Sequence, residues 1–155
     1  MENKFTELCQ VGIVVRDREP LIQNMRDVFG VEPYLITRTA VDENSTYYNE
    51  QADYAAELIF YRFAGVEIEF IVPLGGKSIW QDFLDQHGEG VIHHVLFNVD
   101  SYEGAKAQMA AHGIPIMQQG SSTMIPGAKW GYFDTSKKLP FIVEIKNSKE
   151  VLHEN

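Results

Sequence analysis

Cysteine, positive charge and long apolar runs are all scarce in this chain, and each scarcity closes off a class of protein. Cys9 is the one cysteine, so no disulfide can form within the chain. Its alternation with Val11 and Ile13 reads as a small apolar filler. No apolar run approaches the ~18 residues of a membrane span, and the opening MENKFTEL is too polar for a secretory signal. The expectation is a cytoplasmic protein with no membrane partner. Lys and Arg number 13 against 22 Asp and Glu, a formal net charge of −9. An acidic balance of that size argues against nucleic acid as a partner, because a phosphate backbone attracts basic surfaces. There is no Gly-rich phosphate loop, no Cys–His zinc pattern and no Ser–His–Asp order.

What is present suits one packed core. The 155 residues are 45% hydrophobic and 12% aromatic, without low-complexity tracts, which fits a single domain over residues 1–155. Residues 8–15, LCQVGIVV, alternate as a strand. Cys9, Val11, Ile13 and Val15 share one face, and Gln10, Gly12 and Val14 the other. A helix follows from an Asp17 cap to Phe29, stopped by Gly30. Residues 34–40 read as a strand and 41–53 as a long polar loop. Residues 54–63 and 66–72 form a hairpin about Ala64-Gly65, which sets Phe60 opposite Glu69 and Tyr61 opposite Ile68. Ser78 caps a connector helix, IWQDFLDQH, with Ile79, Phe83 and Leu84 inward.

The second half then repeats the first. Strand 92–99 precedes a helix from Ser101 to His112, and strands at 114–119, 127–133 and 141–146 complete it. Laying His94–Val99 over Gln10–Val15 puts Val95 on Val11, Phe97 on Ile13 and, further on, Met109 on Met25. This offset of about 84 residues, in βαβββ order each time, predicts two like modules. They cover about 7–73 and about 91–147, joined by the connector helix at 78–88. The expected fold is α+β, with both modules paired about a pseudo-twofold into one curved mixed sheet and helices on its outer face.

Each module offers one polar side chain on its first strand and one on its last. These are Gln10 and Glu69, then His94 and Glu144, all on the face opposite the apolar set. Taken singly, each is also what the solvated face of a half-buried strand looks like. Taken together in symmetric places, they converge in the concavity of the sheet. Glu67 shares the face of Glu69 but lies outside this set. His93 points to the core side by alternation and reads as a packed, hydrogen-bonded histidine.

The stretch IEFIVPLGGKSIWQDFLDQHGEGVIHHVLFNVDSYEGAKAQMAAHGI and the last-strand segment GYFDTSKKLPFIVEI resemble the vicinal oxygen chelate superfamily. That superfamily includes glyoxalase I, methylmalonyl-CoA epimerases, extradiol dioxygenases and the fosfomycin and bleomycin resistance proteins. The local likeness is strongest to the epimerases, which show a strand ending in Pro-Leu, a short helix, a Gly-rich turn and a His-His strand. The resemblance implies metal ligands at Gln10, Glu69, His94 and Glu144. Epimerases usually carry His at the first of these places, so the Gln, Glu, His, Glu set is more like the zinc glyoxalase I enzymes. The glutathione clamp of those enzymes is not matched, since Val14 and Pro73 stand where an Arg and an Asn are expected. The resemblance also implies a homodimer, and a second catalytic glutamate from the loop before the hairpin, where Glu50 is nearest.

One imidazole, one amide oxygen and two carboxylates suit a divalent Zn, Ni, Co or Mn ion. A non-haem iron dioxygenase wants two histidines and one carboxylate, and Gln10 removes one of them. A divalent cation beside carboxylates is what proton abstraction next to a carbonyl requires. Glu144 is the first choice as base, with Glu69 or Glu50 as its partner. Leu58, Phe60, Trp130 and Asn98 are the candidate substrate-binding residues. The expected activity is a metal-dependent isomerase, epimerase or lyase on a small carbonyl substrate, an acyl thioester before a glutathione hemithioacetal. The alternative is a metal-free protein of the bleomycin-resistance type that sequesters a small ligand.

Overall fold

Alternating β-branched and aromatic runs become strands here, and the capped stretches between them become helices. The computed structural model describes residues 4–153. Its first half runs β1 (Leu8–Val14), α1 (Arg18–Phe29), β2 (Leu35–Arg38), β3 (Thr46–Tyr47), β4 (Glu50–Gln51), β5 (Ala55–Phe63) and β6 (Val66–Gly75). Helix α2 (Ile79–His87) leads to β7 (Ile92–Asn98), α3 (Tyr102–Ala111), β8 (Ile116–Ser121), β9 (Lys129–Phe133) and β10 (Ile142–Lys146). A short α4 (Ser148–His153), absent from the sequence reading, closes the described chain. None of these helices is long and apolar enough to cross a membrane.

The strands form one curved mixed sheet in the order β2-β5-β6-β1-β7-β10-β9-β8-β3-β4. At its centre β1 and β7 run antiparallel, pairing Gln10 with Leu96, Val11 with Val95 and Gly12 with His94. The Val11–Val95 pair therefore sits on a pseudo-twofold, as the internal repeat requires. The outer neighbours obey the same symmetry. β6 lies parallel to β1 with Glu69 beside Gly12, and β10 lies parallel to β7 with Glu144 beside Leu96. In the β5–β6 hairpin Phe60 faces Glu69 and Tyr61 faces Ile68, the register that a turn at Ala64-Gly65 dictates.

Three apolar clusters hold this arrangement. On the outer face Leu21 and Met25 of α1 pack over Val15, Ile59, Tyr61, Phe70 and Val72. Ala105 and Met109 of α3 pack over Phe133, Val143 and Ile145 in the same way. Helix α2 does something different. Ser78 caps it by accepting from the Gln81 amide, and its Ile79, Trp80 and Leu84 are buried inside the cup against Tyr54, Ile71, Met117 and Tyr132. Trp80 was not among the inward positions expected from the sequence, yet it is one of the largest fully buried side chains.

The polar stretch 41–53 is not a plain loop. Tyr48 and Asn49, both at positive φ, turn it into the β3–β4 hairpin. β3 then pairs with β8, Thr46 against Gln119 and Tyr47 against Gln118. A segment that leaves β2, at one edge of the sheet, is thus stitched to the other edge.

The interior cluster makes α2 a structural requirement. Replacing Trp80 by Ala should cost about 3–5 kcal/mol, the range for removing a buried aromatic side chain. Val28→Ala, at a site on α1 that is 72% exposed, should stay within about 0.5 kcal/mol of wild type. Equilibrium unfolding in urea measures both.

Candidate metal centre

His94 can occupy the middle of the sheet because of the residue opposite it. A Cβ on Gly12 would lie 1.9 Å from His94 Cε1, so the imidazole fills space that any larger residue would take. The ring is fully buried, and its Nε2 faces three oxygens. Gln10 Oε1 is at 3.0 Å, Glu144 Oε2 at 2.9 Å and Glu69 Oε2 at 3.4 Å. Gln10, Glu69 and Glu144 are each 6% exposed. The structure brings these four residues together at the floor of the concavity, two from each half.

A single N–H cannot serve three acceptors. Glu144 Oε2 meets no donor at hydrogen-bond geometry among the described residues, although it lies nearest to the imidazole nitrogen. Two carboxylates thus share a buried space with one imidazole, an arrangement that is costly unless a further positive charge or a proton balances it. The electrostatics agree. Burial raises the Glu69 carboxyl, against the opposing pull of His94. Burial alone would lower His94, but Glu144 and Glu69 beside it outweigh that and push it up to about 9. Ligand atoms of Glu69, His94 and Glu144 all lie within 4.8 Å of one another, and Gln10 Oε1 adds a fourth donor. The donor set, its convergence and the unsatisfied carboxylate oxygen fit a divalent cation.

Gln10 is held in its useful orientation by a residue that the sequence reading left outside the set. Its Nε2 donates to Glu67 Oε1 at 2.6 Å, which turns Oε1 towards His94. Tyr34 and Arg62 also bond Glu67. Glu67 is therefore the outer support of one ligand. Strand alternation places it on this face, and only the pairing of Gln10 with Glu67 across β1 and β6 shows what it touches.

Above the four lies a cleft with about 540 Å³ of space, its mouth included. Leu58, Phe60 and Trp130 line it, together with Trp80, Leu96 and Tyr132. Burial first, and then Glu144 and Glu69, keep Tyr132 protonated far above the usual phenol range. Asn98 sits on β7 beside Lys146 and does not line the cleft. Glu50 is exposed on β4, beside Tyr47, at the edge of the sheet. The structure does not bring it to the other four.

His93 is buried as expected, but on the other side. Between Gly12 and Ile13 the β1–β7 register shifts, so that Ile13 faces Ile92 and His93 has no partner on β1. This bulge turns His93 towards the interior cluster. Its ring meets Phe83 at 4.8 Å and Tyr132 at 5.4 Å, and its Nδ1 lies 3.0 Å from His94 Nδ1. Burial, with His94 beside it, holds His93 well below the usual imidazole range. It is neutral.

The fold and this site define a known class. The sequence profile of the Glyoxalase/Bleomycin resistance protein/Dioxygenase superfamily matches residues 9–132, and the chain belongs to that superfamily. It is similar to an ethylmalonyl-CoA/methylmalonyl-CoA epimerase of Cereibacter sphaeroides, at 26% identity over 113 residues covering 73% of this chain and 75% of that one. A mitochondrial methylmalonyl-CoA epimerase of Dictyostelium discoideum is 28% identical over 67 residues, 43% of this chain and 40% of that one. Among solved structures, a Streptomyces coelicolor methylmalonyl-CoA epimerase variant in complex with 2-nitronate-propionyl-CoA gives a TM-score of 0.68 at 16% identity, covering 96% of this chain and 98% of that one. The methylmalonyl-CoA epimerase of Mycobacterium tuberculosis gives 0.64 at 19% identity, covering 92% and 88%. At those identities the structural likeness speaks for the fold.

Two expectations follow for cation binding. Glu144→Gln removes one of the two charges that balance a cation, and Gly12→Ala displaces the imidazole. Each should weaken zinc binding about 10-fold or more while the fold persists, as read by competition with a chromophoric chelator and by circular dichroism. The second concerns pH. Because His94 holds a proton up to about 9, a cation must displace it. Apparent affinity should therefore fall about tenfold for each pH unit below that value, with about one proton released per ion. Calorimetry in buffers of different ionisation enthalpy counts the protons, and no release would show that His94 is not a ligand.

Proposed function

We propose that this protein is a divalent-metal-dependent epimerase or isomerase, which removes and returns the proton next to the carbonyl of an acyl thioester. The observation that carries this reading is the pair of buried carboxylates, Glu69 and Glu144, which sit at pseudo-twofold-related places with an oxygen each within 3.4 Å of His94 Nε2. Inverting a carbon centre calls for one base on each face of it, and a symmetric pair supplies both. Gln10, Glu69, His94 and Glu144 would hold the ion. When bound, a divalent cation supplies Lewis-acid polarisation of the carbonyl oxygen, which acidifies the adjacent C–H.

The chain's own residues do the rest. Glu144, whose Oε2 lies 2.9 Å from His94 Nε2 without meeting a donor at hydrogen-bond geometry among the described residues, is suited to take the proton. Glu69, whose carboxyl burial raises, is suited to return one. Exposed and outside the cleft, Glu50 has no part in this proposal. Trp80, Tyr132 and Trp130 wall the site and keep water from the reacting carbon. The cleft holds an acyl group of a few carbons, and a bulky thiol carrier must lie beyond its mouth. Lys146 is the one cationic side chain among the described residues lining it. An acyl group that bears its own carboxylate would be seated there, away from Glu69 and Glu144.

The names of the sequence relatives supply the compound to test. In deuterated water the metal-loaded protein should exchange the α-proton of methylmalonyl-CoA at ~1 per second or faster, as followed by mass spectrometry. Glu144→Gln should slow exchange by at least ~10²-fold. Lys146→Met should raise KM for this substrate while leaving kcat nearly unchanged. Turnover of methylglyoxal with glutathione, without thioester exchange, would reverse the substrate assignment. A purified protein that retains no divalent metal after incubation with it would favour a binding role instead.

A further inference from the structure

Two adjacent histidines on a regular strand point to opposite faces. Here the bulge at His93 brings both rings to the same side, with centroids 5.2 Å apart and planes at 87°. Their Nδ1 atoms lie 3.0 Å apart, at hydrogen-bond distance. Two ring nitrogens at that distance share one proton, carried by one of them and accepted by the other. The geometry of His94 decides which. Its Nε2 faces Gln10, Glu69 and Glu144, so a cation held by those residues meets Nε2 as a lone pair, and the remaining proton of a neutral ring must sit on Nδ1. Nδ1 of His93 is then the acceptor.

From this contact, and resting on the metal reading given above, we infer that His93 is a positioning residue. It accepts the His94 Nδ1–H at its own Nδ1 and so keeps the Nε2 lone pair of His94 aimed at the ligand set. Metal-bound histidines need such a partner to fix tautomer and ring angle. A neutral imidazole differs in one respect from the carboxylate that often does this job. It orients His94 without adding a third negative charge beside Glu69 and Glu144. Besides His94, the backbone at Ile79 is the polar group that acts on the His93 ring. Its Nε2 meets no partner at hydrogen-bond geometry among the described residues, and Phe83 and Tyr132 clamp the ring edge-on at interplanar angles of 80°. Packing holds the ring rigidly, and the contact with His94 is the side-chain hydrogen bond it makes.

Two variants and one spectrum test this. His93→Leu removes the acceptor, whereas His93→Asn puts a carbonyl oxygen close to the place of Nδ1. Zinc affinity, measured by chelator competition, should fall about 10- to 100-fold in His93→Leu and stay within about threefold of wild type in His93→Asn. Long-range proton–nitrogen NMR of ¹⁵N-histidine protein should show the His93 proton on Nε2 and a proton on His94 Nδ1, in both the zinc-loaded and the zinc-free chain. A His93 proton on Nδ1 overturns the proposal, even if His93→Leu fails to fold. So does a His93→Leu protein that folds and binds zinc as tightly as wild type. Equal losses in both variants would mean that His93 serves packing alone, which also overturns it. If the wild-type chain takes up no zinc, the metal reading falls, and with it the role of His93 as support for a ligand.

Discussion

The pairing of β1 with β7 is the interaction on which the rest of the molecule depends. It fuses the two halves into one sheet, and its register fixes where every functional side chain points. With Val11 against Val95, Gln10 and His94 fall on one face at symmetric places, and the parallel neighbours bring Glu69 and Glu144 to the same face. A slip of one residue would turn one half's pair, Gln10 with Glu69 or His94 with Glu144, away from the other's. Gly12 completes the constraint, since the only way to seat an imidazole at the centre of a sheet is to leave out the side chain opposite.

That constraint has an energetic counterpart. Two carboxylates, an amide and an imidazole are kept from water in the middle of the protein, where unbalanced charge is costly. The stability that tolerates this comes from elsewhere: from the two outer clusters beneath α1 and α3, and from the aromatic interior around Trp80, Tyr54 and Tyr132. The interior cluster serves twice. It anchors α2, and it also forms the aromatic wall of the cleft, where a low local dielectric strengthens each polar contact.

Much of this was legible in the sequence, because strand alternation and the repeat act together. Alternation alone separates Gln10 from Val11 and Glu69 from Phe70. The offset that lays His94 on Gln10 then marks the two as equivalent places in the paired modules. What stayed hidden were departures from regularity and contacts between distant strands. The bulge that turns His93 inward breaks the two-residue period, and periodicity cannot announce its own failure. The bond from Gln10 to Glu67 depends on which strands are neighbours. Trp80 looked like an ordinary helix position because the cup covers both the Ile79–Phe83 and the Trp80–Leu84 rows of α2, a wider face than one amphipathic stripe. Glu50 lay in a stretch whose polar, turn-rich composition concealed a hairpin made by Tyr48 and Asn49.

The β3–β4 hairpin gives two like halves unlike edges. Unpaired strand edges are templates for joining another chain, and proteins shorten or cover them. On the β8 side the sheet ends in strands of two residues each, too short to recruit a neighbour. On the opposite side it ends in β2, four residues long, with half-exposed Ile36 within it and half-exposed Tyr34 just before it. The repeat is therefore symmetric at the buried Gln10, Glu69, His94 and Glu144 and asymmetric at its edges, and among the described strands β2 is the longer edge left open to another chain.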